Sequence, residues 1–154
     1  MAKARYDSQV GAKALIGTAV GLLALAVVFL MYALTVSGRF NSFKDEVSSI
    51  SGDVKSKIVA EYHGETKEVS KKDFGRIFAA MVSARRRQNE ASANIVDTLT
   101  FRLSNVGDQQ GLMTVCKTDK NCVKVTYQSE NSEYTYWFDC GYQYILNLTG
   151  LSPR

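Results

Sequence analysis

The sequence predicts an α+β fold: a long N-terminal helix, transmembrane at first and amphipathic afterwards, packed on a small antiparallel β-sheet. Three observations predict it. An uncharged apolar run extends from Ala14 to Val36, an apolar stripe at helical spacing follows it, and the closing segment alternates apolar and polar side chains with the period of a strand.

The first element is the run ALIGTAVGLLALAVVFLMYALTV. Its 23 residues would form a helix about 35 Å long, against a bilayer hydrocarbon core about 30 Å thick. A cleavable signal peptide is the rival reading. Its apolar region would be about 7–15 residues long and would end at a small-residue cleavage site. This run is longer and Ser37-Gly38 is a poor cleavage site, so a retained anchor is favoured. Lys3, Arg5 and Lys13 precede the span, while only Arg39 and Lys44 follow it closely. Positive charge marks the cytoplasmic side. Residues 1–13 therefore read as a cytoplasmic leader, 14–36 as the transmembrane helix and 37–154 as an extracytoplasmic α+β domain. The lipid bilayer is the first expected partner.

Within the span, Ala14, Gly17, Gly21 and Ala24 share one helical face, and GTAVG supplies the G-x-x-x-G spacing. Small residues let a second helix approach closely where lipid offers no hydrophobic drive for association. Other transmembrane helices, from the same chain or from partner subunits, are the second expected partner.

Beyond the membrane, Phe40, Phe43, Val47, Ile50, Val54 and Ile58 recur at intervals of three and four, with Lys44, Asp45, Glu46, Asp53, Lys55 and Lys57 between them. This predicts an amphipathic helix continuing the first, with its stripe buried on the downstream domain or in a coiled coil with another copy. Ser70 can cap a further helix whose buried side is Phe74, Ile77, Phe78, Met81 and Val82. That helix either continues through ARRRQNEAS or gives way to a strand at TLTFRL; Thr, Phe and the period of two favour the strand. CVKVTYQ turns Val123, Val125 and Tyr127 to one side, EYTYWF turns Tyr134, Tyr136 and Phe138, and YQYILNL turns Tyr142, Tyr144, Leu146 and Leu148. Asp139-Cys140-Gly141 reads as the hairpin between the last two. A meander of about four strands is expected.

Composition narrows the function. The chain has 154 residues, of which about 118 follow the span, enough for one domain with a modest core. Net charge is +4, but the outer part carries 16 Lys or Arg against 14 Asp or Glu, interspersed. No nucleic-acid partner is expected. Arg85-Arg86-Arg87 is the one dense basic run, read as a solvated helix face in preference to a phosphate or acidic-lipid contact. Of the three cysteines, Cys116 and Cys122 bracket the loop KTDKN and form the favoured candidate disulfide, with Cys122–Cys140 as the alternative. No Gly-rich phosphate loop, paired histidines or nucleophile elbow is present. No enzyme activity, cofactor, metal or small-molecule substrate is expected, and His63 reads as a surface residue. Trp137 has the opposite parity to Tyr136 and Phe138, which points it away from the core and marks a candidate contact surface.

The order of basic leader, apolar helix, amphipathic continuation and antiparallel meander resembles the type IV pilins and pseudopilins. The closing YTYWFDCGYQYILNL is similar to the end of several minor pilin-like sequences. The resemblance covers most of the chain in layout. It implies a structural, assembly role in a pilus-like filament or an envelope secretion or DNA-uptake machine. The apolar half-helix would sit in the membrane before assembly and in the filament core, at the cell surface, afterwards. Pilins carry a glycine before the processed residue and a glutamate five residues into the mature helix. Gly11 stands at the glycine position, whereas Ile16 occupies that of the glutamate and Lys13 is out of character. The alternative is a bitopic accessory or receptor-like subunit whose outer domain binds a ligand or partner protein through Trp137 and the closing hairpin.

Overall fold

The computed structural model describes residues 2–87, 92–105 and 109–151, with side chains from residue 17 onward. It is α+β. Helix α1 (Ala2–Gly52) is followed by strands β1 (Lys57–Tyr62) and β2 (Glu65–Glu68), then helix α2 (Lys71–Ser83) and the short strand β3 (Arg86–Arg87). Strands β4 (Ile95–Ser104), β5 (Gln110–Thr118), β6 (Val123–Ser129) and β7 (Glu133–Phe138) come next, and helix α3 (Tyr142–Thr149) closes the chain. The leader 1–13 and Ala14 have no described side chains. The chain divides into two compact units, residues 1–42 and 43–154. The second contains the sheet, α2, α3 and the turns of α1 from Phe43 to Gly52.

All seven strands pair antiparallel in the order β2-β1-β4-β5-β6-β7-β3. The sequence suggested about four. Because side chains alternate across a strand, register places Leu99, Met113, Val115, Val125, Tyr127 and Phe138 on one face, all essentially buried. Onto this face pack Phe43, Val47 and Ile50 of α1 and Phe74, Ile77, Phe78 and Met81 of α2. Phe43 sits at the middle, its ring centroid 5.2–6.0 Å from those of Phe78, Tyr127, Tyr134 and Tyr136. Phe74 meets Phe101 edge-on at 5.5 Å. Aromatic pairs at such separations add to plain area burial.

The helical stripe stops sooner than its spacing suggested. Phe40, Phe43, Val47 and Ile50 are buried, but α1 ends at Gly52, Val54 is 89% exposed, and Ile58 lies in β1, where it alternates inward with Ala60 and Tyr62. Local hydrogen bonds explain the stop. Asp53 accepts from the Lys55 amide at 3.1 Å, and the Ser56 hydroxyl donates to the carbonyls of Ser51 and Asp53, both at 2.9 Å. Short polar side chains that satisfy nearby backbone in this way compete with helical hydrogen bonds. Lys71 donates to the carbonyls of Asp53 and Val54, covering acceptors that the helix end exposes. Val54 matched the helical period only because a turn happened to follow in step.

At the start of α2, Ser70 caps as expected, accepting from the Asp73 amide at 3.1 Å. TLTFRL is a strand. The β1–β2 hairpin turns on His63-Gly64, with φ of +47° and +82°, the signs a two-residue turn of the primed kind requires. The expected hairpin at Asp139-Cys140-Gly141 is absent. YQYILNL is helical and, with Thr149, forms α3, which buries Tyr142, Ile145, Leu146 and Thr149 and leaves Tyr144 exposed. Its apolar residues fit periods of both 2 and 3.6. The outer neighbour of β7 is already β3, with the Asp139 amide donating to the Arg85 carbonyl. Gly150, at φ +68°, ends α3 in the left-handed conformation typical of a helix C-terminus. Arg86 and Arg87 lie on a strand instead of a helix face.

Phe43→Ala should cost about 3–5 kcal/mol of stability in thermal or denaturant unfolding of the full chain in nonionic detergent. Val54→Ala should change it by less than about 0.5 kcal/mol. Equal losses would contradict the placement of the helix end.

Candidate functional site

The largest exposed apolar surface of the described residues is the helical segment from Gly17 to Arg39, along which every side chain is exposed. Its best 18-residue window has a mean hydropathy of 2.5 and no buried share. Leu22, Leu23, Phe29 and Tyr32 are each 68–74% exposed. Monomeric soluble proteins rarely leave contiguous apolar patches larger than a few hundred Å². The helix is long and apolar enough to cross a membrane once. The Thr35 hydroxyl donates to the Met31 carbonyl at 2.8 Å, so this polar group within the segment is satisfied by its own helix.

Two glycines of the small-residue face stand clear of the rest of the chain. A Cβ added at Gly17 or Gly21 would meet nothing within 4 Å. Neither glycine is needed by the packing of its own chain, and Ala24 on the same face is also exposed. Ala14 lies outside the described side chains. Of the amphipathic stripe, Phe40, Phe43, Val47 and Ile50 serve burial, so they offer no contact surface.

Trp137 requires a correction. It does lie on the sheet face opposite Tyr136 and Phe138, but it is only 7% exposed. The Lys124 ammonium, on the neighbouring strand, sits 5.7 Å from the ring centroid, and Arg87 pairs with Trp137 from the other side. Arg87 is itself held by the Asp139 carboxylate. Long basic stems that lie along an aromatic ring cover it while their heads stay in water.

The cysteines are likewise corrected: Cys116, Cys122 and Cys140 are free thiols. Register separates the favoured pair. Cys116 stands opposite Lys124, and the residue that faces Cys122 is Thr118, whose hydroxyl donates to the Cys122 carbonyl at 2.7 Å and lies 3.2 Å from its Sγ. Burial pushes the Cys140 thiol up to about 12, with Asp139 and Cys122 adding to the effect, so it carries little thiolate at neutral pH. Among the described residues no group of three or more His, Cys, Asp or Glu side chains is placed to hold a metal ion.

One polar cluster had no signature in the sequence. Asp97 Oδ2 accepts from the Tyr62 hydroxyl at 2.7 Å, and its Oδ1 accepts from the Thr98 amide at 2.8 Å and lies 2.9 Å from His63 Nε2. The His63 ring stacks on Tyr62 at 4.2 Å. Burial works against the Asp97 carboxylate, but the hydrogen bonds from Tyr62 and His63 outweigh it and leave its pKa lowered. The same bond to Asp97, then burial, raises that of Tyr62. The cluster ties the β1–β2 turn to β4 and contains no nucleophile, so it reads as a structural latch. His63 is therefore more than a bystander on the surface. The signal was available only as a histidine in a turn beside a tyrosine, too common to single out. The chain matches no protein-family model, no curated protein and no solved structure.

Because the folded-state pKa of Asp97 is depressed, its contribution to stability is present above the ordinary carboxylate pKa of about 4 and is lost as pH falls through the folded value. Asp97→Asn should cost about 1.5–3 kcal/mol at pH 7, the worth of a hydrogen bond to a charged group. The gap to the parent chain should close on acidification in melts recorded from pH 7 to pH 2. A gap independent of pH would show that the carboxylate charge is not what the latch uses.

Proposed function

We propose that this chain is a non-enzymatic, single-pass membrane subunit that assembles through its apolar helix into a pilus-like filament or an envelope secretion or DNA-uptake machine. One observation carries the reading: an apolar helical segment, exposed on all sides, presents Gly17 and Gly21 with open space above them. Lipid alone can cover apolar side chains, but it gives no reason for a strip stripped of side chains. A closely packed neighbouring helix does. The excess of Lys3, Arg5 and Lys13 over Arg39 and Lys44 supports a cytoplasmic N-terminus and an outer domain beyond the membrane. The pilin-like ordering also supports it: an apolar half-helix is followed by turns of the same helix buried on an antiparallel sheet.

The open space at the two glycines makes the test clean. Gly17→Leu and Gly21→Leu add volume that meets nothing within 4 Å in the chain itself. Both should lower cross-linked oligomer yield in native membranes by about tenfold, the effect of a helix–helix contact worth roughly 1–2 kcal/mol. The melting temperature of the full chain in detergent should stay unchanged. Ala26→Leu, on the opposite side of the helix, should leave oligomers intact. Normal assembly in both glycine variants would defeat the proposal.

A further inference from the structure

Where β3, β7 and β6 meet, a cavity of about 320 Å³ is lined by Arg87, Lys124, Thr135, Tyr136 and Trp137. Register sets Arg87, Trp137 and Lys124 side by side across the three strands, with Thr135 two residues along β7 on the same sheet face. No Asp or Glu lines it among the described residues. The Arg87 guanidinium is fixed through its Nε by Asp139. Lys124 is half-buried, and its ammonium meets the Trp137 ring and no carboxylate among the described residues. Arg85 and Arg86, both exposed, add positive charge at the same edge. A second opening of the same unit, about 420 Å³ beside Asp45, Glu46 and Glu130, has no Lys, Arg or His in its described lining, so the two are opposite in charge.

Trp137 supplies an independent sign of a ligand. It lines the cavity yet is only 7% exposed. Its indole N–H donates to none of the described residues, and the side-chain contact it does make is with Lys124. Nor is that N–H sealed away. The side-chain nitrogens and oxygens that are both fully buried and unpartnered among the described residues are the hydroxyls of Tyr127 and Tyr142. An indole nitrogen can only donate. A tryptophan more than nine-tenths buried thus keeps an unused donor at the wall of a basic cavity, and such a donor calls for an acceptor.

The site is therefore made of donors: a guanidinium, an ammonium, an indole N–H and the Thr135 hydroxyl. A carboxylate would bring two acceptor oxygens, whereas a phosphate monoester brings three and a charge of about −1.5 to −2. We propose that this cavity binds a phosphoryl group, carried either by a soluble ester or by the headgroup of an anionic lipid. Lys124 and Arg87 balance its charge, and Trp137 and Thr135 donate to its remaining oxygens. Charge-assisted bonds from the two cations supply most of the affinity. The indole N–H supplies direction.

Trp137 is the single tryptophan of the chain, so its emission reports on the site. The test is titration of the full chain in neutral detergent micelles with inorganic phosphate at constant ionic strength, followed by fluorescence and by calorimetry. A saturable emission change and one-to-one binding are expected. Lys124→Gln should weaken binding about tenfold, the loss of one charged hydrogen bond, with the melting temperature unchanged. Trp137→Phe, followed by calorimetry, should weaken it about two- to tenfold, the loss of a neutral one. Acetate should bind at least about tenfold more weakly than phosphate, since it lacks the third oxygen. Absence of saturation, equal affinity for acetate, or an affinity untouched by Lys124→Gln overturns the site, as does an unchanged affinity in Trp137→Phe. If Trp137→Phe fails to fold, Lys124→Gln decides alone. Displacement of inorganic phosphate by phosphatidic acid placed in the micelle assigns a lipid headgroup, and displacement by soluble glycerol phosphate alone assigns a free ester. Displacement by neither counts against the proposal. Binding should be the same in Gly17→Leu, so its failure and that of the helix-assembly reading are told apart.

Discussion

The core of the second compact unit is arranged around Phe43. The chain leaves an apolar helix segment that is exposed on all sides and, within the same helix, must begin to bury one side only. Phe43 is where the buried turns of the second unit begin, and its ring meets α2 through Phe78 and the sheet through Tyr127, Tyr134 and Tyr136. Val47 and Ile50 continue the contact by one turn each, both nearly free of solvent. A helix gains most of its stability in a protein from such a packed face and less from intrinsic propensity. The aromatic residues on β6 and β7 make sense in this light. Tyr127, Tyr134 and Tyr136 are wide, flat partners for one phenylalanine; Tyr127 is fully buried, while Tyr134 and Tyr136 stay partly exposed.

The other face of the sheet follows the opposite rule. Register aligns Thr66, Glu61, Thr100, Thr114, Thr126 and Thr135 in one row across six strands. Threonine pairs β preference with a hydroxyl that water can satisfy, and Thr126 and Thr135 approach to 3.5 Å between their oxygens. Around the row, charges cancel locally: Arg102 with Glu61 at 2.9 Å, Lys57 with Glu68 at 3.8 Å, and Arg87 with Asp139. Exposed pairs of this kind add little stability. The edge strands are a four-residue β2 rich in charge and a two-residue β3, both poor templates for further strand pairing. The sheet is thus built to be closed on one side by helices and to meet water on the other.

How much of this was legible depended on whether a pattern had one interpretation or two. The helical form of the apolar run, the stripe from Phe40 to Ile50, the Ser70 cap and the strands of Val123 to Ser129 and Glu133 to Phe138 each had one, and each was read correctly. Val54 and YQYILNL had two. A hydrophobic residue in step with a helix looks the same whether the helix continues or a turn intervenes, and only the side-chain hydrogen bonds of Asp53 and Ser56 decide. In YQYILNL, Tyr142 and Leu146 belong to both periods, and the choice rests on β3 occupying the edge a further strand would need. Trp137 was correctly assigned to the far face of the sheet, yet parity cannot reveal that Lys124 lies over it or that a further strand pairs beside it. The cysteine pairing failed for a similar reason: proximity in sequence across a loop says nothing of which residues the register sets opposite each other. The Asp97 latch joins two segments 35 residues apart, and no local pattern marks such a meeting.

Two groups of carboxylates on this domain show how the same chemistry is used in opposite ways. Asp97 is surrounded by donors that already serve it, the Tyr62 hydroxyl, the Thr98 amide and the His63 ring, and its pKa is lowered accordingly. Nothing further is required of it, and its role ends with holding a turn. Glu46, Asp45 and Glu130 face a space instead of a set of donors. Of the described residues only the Ser129 hydroxyl donates to any of their carboxylates. A fold that takes care to satisfy one carboxylate with three groups and leaves three others around a cavity has distributed its donors unevenly. Those three stand at the margin of the layer, where water screens like charges and leaving them together costs little.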